Sequence, residues 1–299
     1  MIGIDYTNKK GISMSKHPIR GGIYALISAL FFASMGVFVK FAEEVPNETL
    51  VFFRNLICLA AVIPFIIHDK VSLKTTHFPL HVSRAVFGLA NIYCYFFTLR
   101  HLFLTNSIVL LNTIPLFIPF VILFWNRKKI PRLRAYSLAV GFIGILLILK
   151  PGAKIINIAS LIGIGGAMTG AIGVVALRKL SKTDDTRLIL FYYFLISVLV
   201  SFFPMLVAWE PIVSREIWYI IGIIGLSAYG YQFFLTKAYK HVSASRAGAL
   251  LYIGVIFGGF YDWIIWGIIP GYWTLIGCAL IIVGGVWTIL DQNHSQRIE

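Results

Sequence analysis

Acidic residues are scarce in this chain: 12 Asp and Glu stand against 26 Lys and Arg in 299 residues, and charged residues of both signs make up only 13%. Soluble domains carry about 25% charged residues, so a water-soluble globular fold is disfavoured from the start. Cysteine is scarcer still. Cys58, Cys94 and Cys278 lie far apart inside apolar runs, with neither metal-ligand spacing nor a disulfide framework, and each is expected as a small buried apolar residue. No stretch ends in the Gly-Lys-Ser/Thr of a phosphate-cradling loop, which argues against direct nucleotide drive. No nucleophile with a plausible base stands inside the apolar runs. The seven histidines fall in connections or at run ends. His77 and His81 are four apart, but Pro79 separates them and no carboxylate stands nearby in sequence, so no zinc site is expected. No cofactor is implied.

What the chain has is apolar length. Hydrophobic residues make up 59%, and the mean hydropathy is +0.85. Uncharged runs such as 102–126, 188–209 and 263–290 exceed the roughly 20 residues that cross a bilayer as a helix. Bounding the runs by charges and turn residues predicts ten transmembrane spans, at 20–42, 48–68, 79–99, 103–125, 133–150, 155–178, 187–209, 216–239, 244–266 and 271–291. The fifth is short and spans only if Arg134 and Lys150 snorkel from its ends. The runs are continuously apolar, without the alternation of barrel strands, so the expected class is all-α.

The net charge of +14 and pI near 9.8 would suggest nucleic acid in a soluble protein. Here the basic residues sit between apolar runs and read as topology signals, with no nucleic-acid partner. With ten spans both termini share a side; twenty of the 26 basic residues fall on it and six on the other. The positive-inside rule then places both termini in the cytoplasm, with tails at 1–19 and 292–299, and predicts a multi-pass protein of the inner or plasma membrane. The first apolar run is too long for a signal peptide and lacks a cleavage site, so it is an uncleaved span. Met14, followed by Ser15-Lys16-His17, offers an alternative start.

The halves resemble each other at an offset of about 140 residues. Arg100 meets Lys240, His101 meets His241, Leu110-Leu111 meets Leu250-Leu251, and Lys40 meets Lys179 at 139. Five spans per half make the second half, 151–291, enter the membrane in the opposite sense to the first, 20–150. That is the signature of inverted repeats.

Lys40 closing span one, Phe52-Phe53-Arg54 opening span two, the stretch from Asn106 to Leu111 leading to Pro115-Leu116-Phe117, and Tyr272-Trp273-Thr274-Leu275-Ile276-Gly277 with Gly284-Gly285 in span ten stand in a telling order. In these the chain resembles the EamA-type members of the drug/metabolite transporter superfamily. Two places depart from the family pattern, where a glutamate often follows spans four and nine: here stand Trp125-Asn126-Arg127 and Trp266-Gly267-Ile268. The resemblance implies two five-helix repeats around a central cavity opened alternately to each side, for amino acids, nucleoside derivatives such as S-adenosylmethionine, or amphipathic drugs.

Charge inside a bilayer is costly, about 2.5–3.5 kcal/mol at a helix centre, so Arg54 and Asp262 are candidates for gating or coupling. Arg54 also reads as a residue that snorkels to the outer headgroups, and an Arg54–Asp262 pair closing the outward mouth is a further expectation. Nearer the midplane the candidate substrate contacts are Asn91, Tyr95, Asn112, Thr113, Tyr229, Gln232 and Tyr252, each of which also reads as an ordinary interhelical hydrogen-bonding residue. Arg84, Gly88, Asn91, Tyr95 and Thr98 follow i, i+4, i+7, i+11, i+14 and form one polar helix face that should avoid lipid. Trp263 and Trp266 read as interface anchors. Small residues from Gly163 to Gly173 permit close helix approach. Asp184-Asp185 reads as a solvated loop. The aromatic content, 15%, would suit a ring-bearing or cationic ligand. A small-molecule substrate and the lipid bilayer are the expected partners. The competing class, a membrane enzyme acting on lipids or isoprenoids, requires clustered acids that the chain lacks.

Overall fold

The computed structural model describes residues 18–126, the helical positions 136, 139–141, 143–144 and 147, and residues 158–241, 253–269 and 271–295. Met14, Tyr252 and most of the expected fifth span lie outside the described residues. Every regular element among the described residues is helical: α1 (Pro18–Phe41), α2 (Asn47–His68), α3 (Phe78–His101), α4 (Leu104–Leu111), α5 (Ile114–Asn126), α6 (Ile158–Thr183), α7 (Thr186–Val207), α8 (Arg215–His241), α9 (Ile253–Trp266) and α10 (Tyr272–Ser295). Seven stretches among the described residues are long and apolar enough to cross a membrane: α1 from Arg20, α2, α3, Leu104–Phe124, α6, α7 and α8.

The local causes are visible in the sequence. Pro79 stands in the first turn of α3, where its missing N–H has no intrahelical acceptor to lose. Asp185 caps α7 by accepting from the Arg187 N–H at 2.9 Å. The expected fourth span is interrupted. Asn112 and Thr113 form a turn between α4 and α5, with Thr113 donating through Oγ1 to the Leu110 carbonyl at 2.6 Å. Pro115 follows and has no N–H with which to continue the ladder.

The helices pair closely: α3 lies along α6, α1 along α8, α2 along α7, and α9 against α1 and α4. The small residues of α6 make the first of these seams, as their spacing predicts. A Cβ added at Gly166 would stand 2.6 Å from that of Cys94 on α3, and one at Gly170 2.8 Å from the Asn91 amide nitrogen. Outward, the bundle shows Phe65, Ile67, Phe124, Phe203, Leu226, Ile256 and Ile264 to its surroundings, a surface that only lipid can cover favourably. We name the side where α1 begins and α10 ends the terminal face, and the other the far face. Trp209, Trp218, Trp263, Trp266 and Trp273 all stand at far-face helix ends, an interfacial girdle.

On the terminal face the structure corrects the reading of Asp184. Its side chain is only 8% exposed. It accepts from Thr75 Oγ1 at 2.9 Å and shares a 2.7 Å hydrogen bond with His81 Nε2, tying the α6–α7 turn to α3. Burial works against the Asp184 charge, but hydrogen bonds from His81, Thr75 and Thr183 outweigh it and hold the carboxyl below its ordinary value. A lowered carboxylate value stabilises the fold fully above the unfolded value of about 3.9 and loses that contribution as pH falls through the folded value. Asp184→Asn should therefore lower the melting temperature at pH 7. It should also narrow the difference between pH 5 and pH 3 in the same scan, since the variant has less acid-sensitive stability to lose.

Candidate functional site

The polar face of α3 is buried along its whole length: Arg84, Gly88, Asn91, Tyr95 and Thr98 all turn inward. Arg84 stands at its terminal-face end. Its Nη2 donates to Gln232 Oε1 on α8 at 2.7 Å, and its guanidinium lies 4.4 Å over the ring of Tyr193 on α7. Gln232 in turn donates through Nε2 towards the Tyr193 hydroxyl at 3.4 Å. Three helices thus converge on one cation held by neutral partners. Two turns further along α3, Asn91 donates to the Gly166 carbonyl of α6 at 2.7 Å, and beyond it Tyr95 stacks on Phe32 of α1 at 4.4 Å between centroids. Phe32 also meets Tyr231 of α8 at 4.8 Å, so rings from α1, α3 and α8 close over the polar layer.

Arg54 is fully buried, which overturns the snorkelling expectation. Its Nη1 donates to Asn55 Oδ1 at 2.7 Å, while Nε and Nη2 have no partner among the described residues. The expected Arg54–Asp262 pair is not formed either. Asp262 accepts from the backbone N–H of Leu104 at 3.2 Å and of Thr105 at 2.8 Å, and from Thr105 Oγ1 at 2.6 Å. It is a cap supplied to α4 by a different helix, at the end where a negative charge is favoured. Lys40 does the converse a few residues away. Its Nζ donates to the Leu99 and Leu102 carbonyls at 2.8 and 3.1 Å, at the C-terminus of α3. Arg100 donates to the Glu43 and Val45 carbonyls. The sharp α3–α4 corner on the far face is therefore latched by a cation from α1 and an anion from α9.

Of the other predicted residues, Asn112 sits at the α4–α5 break, and a Cβ added at Gly254 on α9 would stand 3.5 Å from its amide nitrogen. Tyr229 departs from the group. It is half-buried and stacks against Phe65, a surface residue of α2, and against Phe233. Two contributors were not foreseen at this depth. Arg84 reads as a connection charge by count, although its spacing to Asn91 and Tyr95 already places it on the buried face. Tyr193 looks like one more apolar-run aromatic until α7 is laid beside α3. Two clefts, of about 290 and 450 Å³, lie apart from this layer: one between α4, α9 and α10 around Thr105 and Cys278, the other on the far face between Glu44 and Glu210. Among the described residues no group of His, Cys, Asp or Glu is placed to hold a metal.

A bundle of bilayer-length helices, lipid-compatible outside and carrying a buried polar layer, defines a multi-pass membrane protein. Comparison with known proteins gives the family: the EamA-like transporter family matches at residues 19–150 and again at 157–290. The chain belongs to the EamA-like transporter family. It is 29% identical to the pseudopaline exporter of Pseudomonas aeruginosa, over 88% of this chain and 93% of that one. It is 25% identical to a riboflavin transporter of Vibrio cholerae over 96% and 99%, and 27% identical to an S-adenosylmethionine uptake transporter of Rickettsia prowazekii over 82% and 83%. A solved crystal structure shares the fold, with a TM-score of 0.66 at 16% identity, covering 93% of this chain and 98% of its own.

Proposed function

We propose that this protein is a ten-helix secondary transporter of the inner or plasma membrane, with both termini cytoplasmic, which carries a small organic metabolite by alternating access. The observation that carries the reading is the buried polar layer of Arg84, Gln232, Tyr193 and Asn91 inside an apolar bundle. Polar side chains at that depth are expensive unless they meet one another, water or a solute.

Two inverted five-helix repeats, 20–150 and 151–291, give the layer its means of opening to both sides. One family model fits two stretches of similar length. Exchanging α1 with α6, α2 with α7, α3 with α8 and α4 with α9 turns the α1–α8 seam into the α6–α3 seam and returns the α2–α7 and α4–α9 contacts to themselves. Because α1 leaves the terminal face and α6 approaches it, the exchange inverts direction, as two-fold repeats in the membrane plane require. The α3–α4 latch then acts as a far-face gate, with Asp262 and Lys40 as its charged parts. Asn91, Tyr95, Asn112, Thr113 and Gln232 line the path, with Tyr229 at its edge.

Counterflow in proteoliposomes tests this. Vesicles preloaded with one unlabelled metabolite at a time should accumulate its labelled form for at least one solute among amino acids, nucleoside derivatives and organic acids. Gln232→Ala should cut that rate at least tenfold while changing the melting temperature by only a few degrees. Folded protein that moves no solute, and whose Asn91→Cys and Gln232→Cys variants in a cysteine-free background never react with a water-soluble thiol reagent, would rule out an aqueous path and this reading with it.

A further inference from the structure

Two guanidiniums lie deep in the bundle, and among the described residues neither meets a counter-anion. Among those residues Arg54, fully buried, has two of its three nitrogens unpartnered, and Arg84, 6% exposed, meets the Gln232 amide oxygen and the Tyr193 ring, its Nε being unpartnered as well. Nothing among the described residues neutralises the pair. Eleven of the chain's twelve acids lie in tails, connections or helix ends, and the twelfth, Asp262, is committed to the amides of α4. Among the described residues no carboxylate reaches either arginine.

An uncompensated buried cation is strongly unfavourable, and breaking even with it requires an anion or a dense set of acceptors. The Tyr193 ring beside Arg84, which could attract a cationic ligand, already holds the protein's own guanidinium at 4.4 Å. The planar fork of a guanidinium matches the paired oxygens of a carboxylate or phosphate. Resting on the reading of the chain as a carrier, we propose that its substrate is an organic anion bearing a carboxylate or phosphate group, which Arg54 and Arg84 receive. The two arginines serve different halves of the crossing. Arg54 stands about 10 Å from the far-face end of α2 and Arg84 about 9 Å from the terminal-face end of α3, at 1.5 Å per residue.

The test pairs each anion with a neutral analogue in the counterflow assay: glutamate with glutamine, succinate with 1,4-butanediol, adenosine monophosphate with adenosine, and choline as a cation. The anionic member of at least one pair should exchange at least tenfold faster than its neutral partner, with the carboxylates and the phosphate telling the two groups apart. Arg54→Met and Arg84→Lys should each reduce that exchange at least tenfold. Arg54→Met should at the same time melt no lower than the native protein, because the substitution removes an uncompensated charge from the empty carrier. Exchange confined to glutamine, adenosine or choline would overturn the anion assignment and leave the carrier standing. Absence of exchange with every probe would remove the carrier reading and this inference together. A clear drop in the Arg54→Met melting temperature would mark Arg54 as a structural residue and overturn its assignment.

Discussion

Asp262→Ala lowers the melting temperature of the detergent-purified protein by about 10 °C. The carboxylate is buried and accepts from two backbone N–H groups and one hydroxyl at the start of α4. Its removal leaves all three donors without a partner, each costing about 1–3 kcal/mol, and takes an anion from the positive end of a helix dipole. A loss of about 3–5 kcal/mol moves the melting point of a chain of this size by roughly 2–4 °C per kcal/mol. Asp262→Asn retains one acceptor oxygen and should fall near the middle of that range. The effect should reach beyond α4. Lys40 lies within the field of Asp262 and holds the last carbonyls of α3, so losing the anion weakens both sides of the α3–α4 corner. A far-face cysteine reporter such as Thr105→Cys should label faster in the variant. If instead Asp262→Asn melts within about 2 °C of the native protein and loses only proton-driven accumulation, the carboxylate is a coupling group and not a latch.

Much of this architecture was legible in hydrophobic periodicity, because a span has to be long, apolar and bounded by charge whatever its neighbours are. The bounds of α2, α7 and α8 fall within two residues of those read from the runs. The inward polar face of α3 followed from spacing alone, and the close approach of α6 from its small residues. The errors share one cause: they concern groups whose environment is supplied by a helix distant in sequence. Asp184 reads as a loop acid until His81, 103 residues earlier, is folded against it. Asp262 reads as a partner for Arg54 because both lie near the far face, yet the backbone amides of a helix start, which carry no letter in the sequence, hold it instead. Arg54 reads as able to snorkel because depth along a helix can be counted while the covering helices α7 and α8 cannot. Tyr229 and Gln232 stand three apart on α8, and the angle this leaves between them is enough to put one ring on the α2 surface and the other side chain in the core.

Gly88 holds the second large effect. A Cβ at this position would lie 2.5 Å from Arg84 Nη1 and 2.8 Å from Tyr193 Cε2, so an alanine occupies the space in which the guanidinium meets the ring. The arginine has little room to retreat: Gly173 of α6 closes the other side, where an added Cβ would stand 3.3 Å from the same nitrogen. Gly88→Ala should therefore displace Arg84 from Tyr193 and Gln232, and counterflow of whichever solute the native protein exchanges should fall by about 100-fold, as expected when a binding group is misplaced by about 1 Å. Overpacking of the α3–α7 contact costs about 1–3 kcal/mol. The gain from replacing a helical glycine, about 1 kcal/mol, partly offsets it, so the melting temperature should change by only a few degrees. Gly88→Val adds two more methyl groups with nowhere to go and should lower it further. Gly165→Ala is the control on α6, since nothing lies within 4 Å of its added Cβ; it should keep native counterflow and melt at or slightly above the native temperature. If Gly88→Ala transports as well as Gly165→Ala, the Arg84 guanidinium does not need its place against Tyr193, and the polar layer built around it is packing and not a binding site.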